Sequence, residues 1–195
     1  MQYDVWAVSP DSDDDFFFAS ATIAASGTLS LRANDIGTNG TGYKVSITSS
    51  GNDSGKTFGI TGVKVGAVGS DGIVQEVVTG PNTPTVYSAN YYTSIKSITI
   101  SAASAGAIKI GYGGDLAFPR TRLKGVYFVS NGSSGSIVFT AKPSNKVLLN
   151  LAVPSGTLSQ DMMIPGEGIL TTKSRDGDFA IMTLTNLTHA TVICG

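Results

Sequence analysis

The sequence predicts an all-β protein: two antiparallel β-sandwich or small-barrel modules preceded by an N-terminal arm. Three observations predict it. From Tyr43 to Gly114, short stretches alternate apolar residues with Ser, Thr and Lys, the period-two pattern of strands with one face buried and one wet. Turn chemistry separates these stretches, and no 3.6-residue helical period interrupts them. The 195 residues include 24 glycines and only 14% charged residues, well below the roughly 25% of an ordinary soluble domain. That composition suits a rigid body whose polar face is made of hydroxyls rather than charges.

The first 18 residues read as an arm. Tyr3, Val5 and Trp6 are apolar, Ser9-Pro10 breaks the chain, and an acidic run extends from Asp11 to Asp15. Phe16, Phe17 and Phe18 follow at once. Neighbouring strand residues point to opposite sides, so the three rings cannot share one face. Either both sides of that strand are covered, or Phe17 meets another element or another chain.

A first module spans 19–115. Ala19–Arg32 continues the β pattern, and Asn34–Gly42 is a loop with the Asn39-Gly40 turn signal. Strands are expected at Tyr43–Ser49, Lys56–Val65, Ile73–Thr79, Ser97–Ser101 and Gly106–Gly111. Ser49–Gly55 reads as a hairpin-type connection, and Asp71-Gly72 suits a tight hairpin turn. Gly80–Pro84 is a longer bend, and Tyr87, Tyr91 and Tyr92 add aromatic weight before a strand at Ile95–Ile100. Composition shifts at Gly111–Asp115, where a boundary is expected. The second module, 116–195, carries strand patterns at Leu123–Val129, Ser136–Thr140, Val147–Val153, Gly168–Thr171, Phe179–Leu184 and Ala190–Ile193.

Composition also sorts function classes. A net charge of −1 gives no broad attraction to nucleic acid or anionic lipid. Cys194 is the sole cysteine, so no intrachain disulfide can form. The opening residues lack a basic start and an apolar core, so no signal peptide is expected and no stretch has the apolar length of a spanning helix. A soluble protein made in the cytoplasm is the expectation.

Individual motifs are weak carriers of chemistry. Ser50–Thr57 ends in Gly-Lys-Thr like a phosphate-binding loop, but Ser50 replaces its first glycine and a strand pattern follows where a helix is required. Asp11, Asp13 and Asp15 have the spacing of a calcium loop, yet Phe16 and Thr22 stand where its glycine and bidentate glutamate belong. Such a run more simply forms a solvated linker or discourages stray strand pairing. His189 is the only histidine and reads as an edge-strand residue. No Gly-x-Ser-x-Gly elbow supplies a nucleophile for it, and no His/Cys cluster suits a catalytic metal. Asp161 and Glu167 could pair as glycosidase carboxylates but read as a polar turn around Pro165-Gly166. Asn39-Gly-Thr and Asn186-Leu-Thr are glycosylation sequons that reflect an Asn/Ser/Thr-rich chain. No catalytic residue, cofactor or metal site is expected.

Ile47–Phe58, Thr79–Asn82 and Tyr91–Ile100 together resemble structural proteins of tailed bacteriophages, those of short-tailed marine and cyanobacterial phages among them. Lys124–Val129 and Pro165–Leu170 look similar to another small β module of such virion proteins. The resemblance covers most of the chain after the arm and implies a non-enzymatic particle component assembled in the host cytoplasm.

It implies first a capsid decoration protein, of cement or knob type, bound to the major capsid protein or other virion proteins on the outer surface of the head. Tyr3, Trp6, Phe16, Phe17 and Phe18 are the candidate interface anchors, since aromatic residues dominate interface energetics. A tail or head–tail connector ring, formed by a homo-oligomer, is the alternative. A carbohydrate-binding module aiding host attachment is a third reading, with Tyr87, Tyr91 and Tyr92 as its glycan platform.

Overall fold

The computed structural model describes residues 4–8, 12–36, 40–66, 72–171 and 178–195. The described chain is almost entirely β, as the alternating pattern requires. Its strands are β1 (Asp4–Val8), β2 (Asp13–Thr22), β3 (Gly27–Thr28), β4 (Gly42–Ser49), β5 (Thr57–Lys64), β6 (Ile73–Thr79), β7 (Val86–Ile100) and β8 (Ala107–Phe118). They continue as β9 (Arg122–Ser130), β10 (Gly135–Lys142), β11 (Val147–Val153), β12 (Ser159–Met163), β13 (Ile169–Leu170), β14 (Phe179–Thr185) and β15 (Leu187–Cys194). All pairings between these described strands are antiparallel, and they form one large and one small sheet, neither closed into a barrel.

The large sheet runs β11-β10-β14-β8-β4-β7-β5-β6, with β2 added to β8 and β3 to β7. Its centre folds over because β7 is long enough to serve two layers. The early part of β7 pairs with β4, Tyr43 opposite Tyr92 and Ile47 opposite Val86. Its later part pairs with β5, Phe58 opposite Ile100 and Ile60 opposite Ile98. Register shifts interrupt both pairings, as bulges do where a strand must bend. Val45 and Ile47 thereby meet Phe58, Ile60, Ile98, Ile108 and Ile110 in one buried cluster. The sheet packs against itself.

The small sheet, β1-β15-β9-β12 with β13 also on β9, covers the other end. Val126 and Phe128 from β9 and Ala190 and Val192 from β15 face Leu116, Phe118, Ile137, Phe139 and Met182 of the large sheet. Both cores lie on one face of β8. Ile108 and Ile110 enter the first core, Leu116 and Phe118 the second, and Tyr112 between them packs against both. The sequence boundary expected at 115 therefore falls inside a continuous strand.

The residues expected to form an arm contribute a strand to each sheet. β1 pairs along its whole length with β15, Asp4 opposite Cys194 and Val8 opposite Ala190. β2 follows β8 irregularly, with Asp13 opposite Tyr112 and Phe18 opposite Ile110. The glycine-rich step at 111–114 makes this path possible: a Cβ on Gly111 would run into the Asp13 carbonyl oxygen. The composition shift read as a boundary is the footprint of that crossing.

Two local expectations are corrected. Ser49–Gly55 is not a hairpin, because β7 lies between β4 and β5 in the sheet; the loop crosses from one layer to the other. The strand that carries His189 is not an edge strand: β15 pairs with β9 at His189 itself and with β1 from Ala190 to Cys194. The Asp71-Gly72 turn falls partly outside the described residues, although β5 and β6 do pair antiparallel from Thr57–Thr79 to Val63–Ile73.

Candidate functional site

The densest polar constellation lies in the loop that imitates a phosphate-binding motif. Asp53 is fully buried there. Its carboxylate accepts hydrogen bonds from Ser49 Oγ at 2.5 Å and the Ala105 amide at 2.7 Å, and it is ion-paired with Lys56. The Asp53 amide donates to the Pro81 carbonyl at 2.8 Å, and Lys56 N returns to the Asp53 carbonyl at 2.9 Å. Through its carboxylate and its main chain, Asp53 thus ties together three connections, at 49–56, 80–81 and 105. Burial pushes the Asp53 pKa up, but the Lys56, Ser49 and Ala105 donors outweigh it and hold the carboxyl below its ordinary value. Lys56, which a nucleotide site would need free, is occupied. β5 starts directly after it, so no helix N-terminus faces the loop.

Glu76 performs a related task at the bend of β7. Its carboxylate accepts from the backbone amides of Ala89 and Asn90, from Asn90 Nδ2 at 2.9 Å and from the Tyr92 hydroxyl at 3.1 Å. These amides belong to the stretch of β7 where pairing with β4 is interrupted. Burial and the Glu76 charge together raise the Tyr92 pKa, so the phenol stays a neutral donor. Tyr91 is pushed up to about 12 by burial and by Asp115. Its ring packs 5.5 Å from that of Phe179, beneath Lys44.

The expected anchors are distributed as follows. Phe17 is fully buried in the first core, with Phe16 and Phe18 packed partly buried against the same cluster. Phe17 is therefore corrected as an interface anchor: it has no surface to offer a partner, because β2 is covered where it lies. Trp6 sits on β1 opposite Val192, and Tyr3 lies outside the described residues. The tyrosine platform is also corrected. Tyr91 and Tyr92 are buried and only Tyr87, 48% exposed, reaches solvent, because both faces of β7 are covered there: Tyr92 enters the first core and Tyr91 packs with Val65, Ala117 and Ile181.

The remaining motifs resolve into ordinary contacts. His189 Nε2 lies 2.9 Å from Thr191 Oγ1 on its own strand. Asp161 is on β12 rather than in a turn, opposite Tyr127 of β9, and Glu167 pairs with Arg122 at 3.2 Å on the surface. Asp14 meets Lys109 at 3.0 Å and Asp15 meets Arg32 at 3.8 Å, while Asp11 lies outside the described residues. Cys194 is buried and forms no disulfide. A cleft of about 430 Å³ borders the β10–β11 hairpin near Leu148 and Asp178. Two of its polar residues close that hairpin: Lys142 bonds Asn145, and Ser144 Oγ accepts from the Lys146 amide.

Sequence reading missed Asp53 and Glu76 as organising residues. A local signal existed for the first: Asn52 Oδ1 accepts from the Ser54 amide at 3.1 Å, an Asx turn that presents Asp53 inward. Glu76 had none, since its partners lie 13 to 16 residues away. No family model, curated protein or solved structure matches this chain. No described helix is long and apolar enough to cross a membrane.

Proposed function

We propose that this chain is a non-enzymatic structural protein of a tailed-phage particle, seated on the outer surface of the head as a decoration protein. One observation carries the reading: the two most connected carboxylates, Asp53 and Glu76, are both engaged by the protein's own loops and strands. The ionisable groups so described brace a scaffold. The hydroxyl-rich, weakly charged surface and the resemblance of residues 47–58 and 91–100 to phage structural proteins support the same reading. A decoration protein that binds only the assembled shell stabilises it by mass action. Trp6, on the edge strand β1 of the small sheet, and Tyr3, outside the described residues, are the anchors this reading retains.

Cryo-electron microscopy of particles with and without the gene tests it. Regularly spaced density should vanish from the shell while the tail is unchanged. Loss of a tail or portal ring with an unaltered shell would overturn the head placement and make the chain a connector component.

A further inference from the structure

Antiparallel sheets end in edges, and the edges of this protein are not alike. The small sheet ends in β1 and β12, which carry Asp4 and Asp161. β2, added at the side of β8, carries Asp13, Asp14 and Asp15. Charged edges of this kind repel a second copy of the same strand. The two ends of the large sheet differ. β11 reads Val-Leu-Leu-Asn-Leu-Ala-Val and holds no charge or proline. β6 reads Ile-Val-Gln-Glu-Val-Val-Thr, and its one charge, Glu76, is turned back onto β7. Among the described residues β11 pairs only with β10 and β6 only with β5. Each leaves one row of main-chain donors and acceptors open over seven residues, flanked by exposed Ile73, Val77 and Val147.

We propose that copies of this chain associate head to tail, β6 of one pairing with β11 of the next and extending the large sheet from molecule to molecule. An open strand edge is satisfied only by another extended strand, and this chain supplies two of equal length. Charge selects the pairing. A two-fold β12–β12 pair centred on that strand sets Asp161 against its counterpart, and a two-fold β6–β6 pair does the same for Glu76 at its centre. A two-fold β11–β11 pair is free of charge but leaves β6 open. Joining β6 to β11 closes both edges. Because the surfaces joined are different, the association continues into a ring or an open filament rather than stopping at a dimer. The inference concerns only copies of this chain and stands without the phage reading.

The test uses light scattering coupled to size-exclusion chromatography over a concentration series. The wild-type chain should form species larger than a dimer. Ile73→Lys/Val77→Lys places charge on β6, and Val147→Lys/Ala152→Lys places it on β11, all at exposed positions. Each double variant alone should be monomeric, with unchanged far-UV circular dichroism. An equimolar mixture should give a one-to-one dimer, because each variant retains the edge the other lacks. A wild-type chain monomeric throughout overturns the proposal. So does association that survives either double variant, or a mixture that stays monomeric.

Discussion

The two halves of the molecule close their cores by different means. In the first, one sheet folds over itself at β7, and the bend and the loops above it leave main-chain groups that the ladder cannot satisfy. Asp53 and Glu76 supply those partners, from inside the loop cluster and across the bend. In the second half a separate sheet covers the first, and the closure is apolar. Phe118 and Phe139 pack with ring centroids 5.9 Å apart, and Leu123, Val126 and Val192 fill the space around them. Its buried hydroxyls serve loops beside the core: Thr171 Oγ1 accepts from the Thr121 amide and lies within bonding distance of the Pro119 and Thr121 carbonyls, and Ser130 Oγ accepts from the Gly132 amide. Bending a sheet exposes backbone polarity that must be paired, whereas stacking two sheets does not.

The largest effects should come from the cores, and they ask whether the halves are independent. Phe58→Ala and Phe139→Ala each remove a fully buried ring, one per half, and should each cost about 3–5 kcal/mol in urea denaturation. Since β8 serves both cores, either variant should shift one shared transition. Trp6, the sole tryptophan, reports from the small sheet. Its fluorescence and far-UV circular dichroism should lose signal together in both variants. Separate midpoints would show that the comparison describes two domains.

Asp53→Asn comes next. It keeps the shape but leaves Lys56 without a counter-charge, and should cost about 3 kcal/mol. The folded-state pKa of Asp53 lies below its ordinary value of 3.8. Its stabilisation is therefore complete above that value and is lost as pH falls through the lower, folded-state pKa. Denaturation midpoints measured from neutral pH downward should fall less steeply in Asp53→Asn than in the wild type. An identical acid limb would remove Asp53 from its assigned place.

Glu76→Gln retains one acceptor but loses the charge that strengthens the bonds to Ala89, Asn90 and Tyr92. A loss of about 1–2 kcal/mol is expected, with faster amide hydrogen exchange at Ala89 and Asn90. The smallest effect belongs to the second half. Thr171→Val removes its hydroxyl and should cost about 1 kcal/mol. If Thr171→Val proved as costly as Asp53→Asn, the contrast between polar and apolar closure would fail.

Much of the architecture was legible in the chain. The alternation in Tyr43–Ser49, Ile73–Thr79 and Val147–Val153 located those strands because side-chain direction repeats every two residues wherever one face is buried. Gly111 and Gly113 were visible as a compositional break, but their reason was not: it depends on Ser12 and Asp13, about 100 positions earlier, lying across β8. The same holds for Tyr91 and Tyr92, whose burial follows from distant residues covering both faces of β7 rather than from their neighbours in sequence.

By itself, then, the sequence determined the all-β class, the positions of most strands and the weakly charged surface, because these follow from local periodicity and composition. Only the tertiary structure decided that β8 runs through both cores and that Ser49–Gly55 crosses between layers. It alone placed Phe17 inside, and left as the two ends of the large sheet β11, which carries no charge, and β6, whose one charge is engaged by β7. Strand order and edge status are set by pairings between residues far apart in the chain, and periodicity is the same in a strand that is paired on both sides and one that is not.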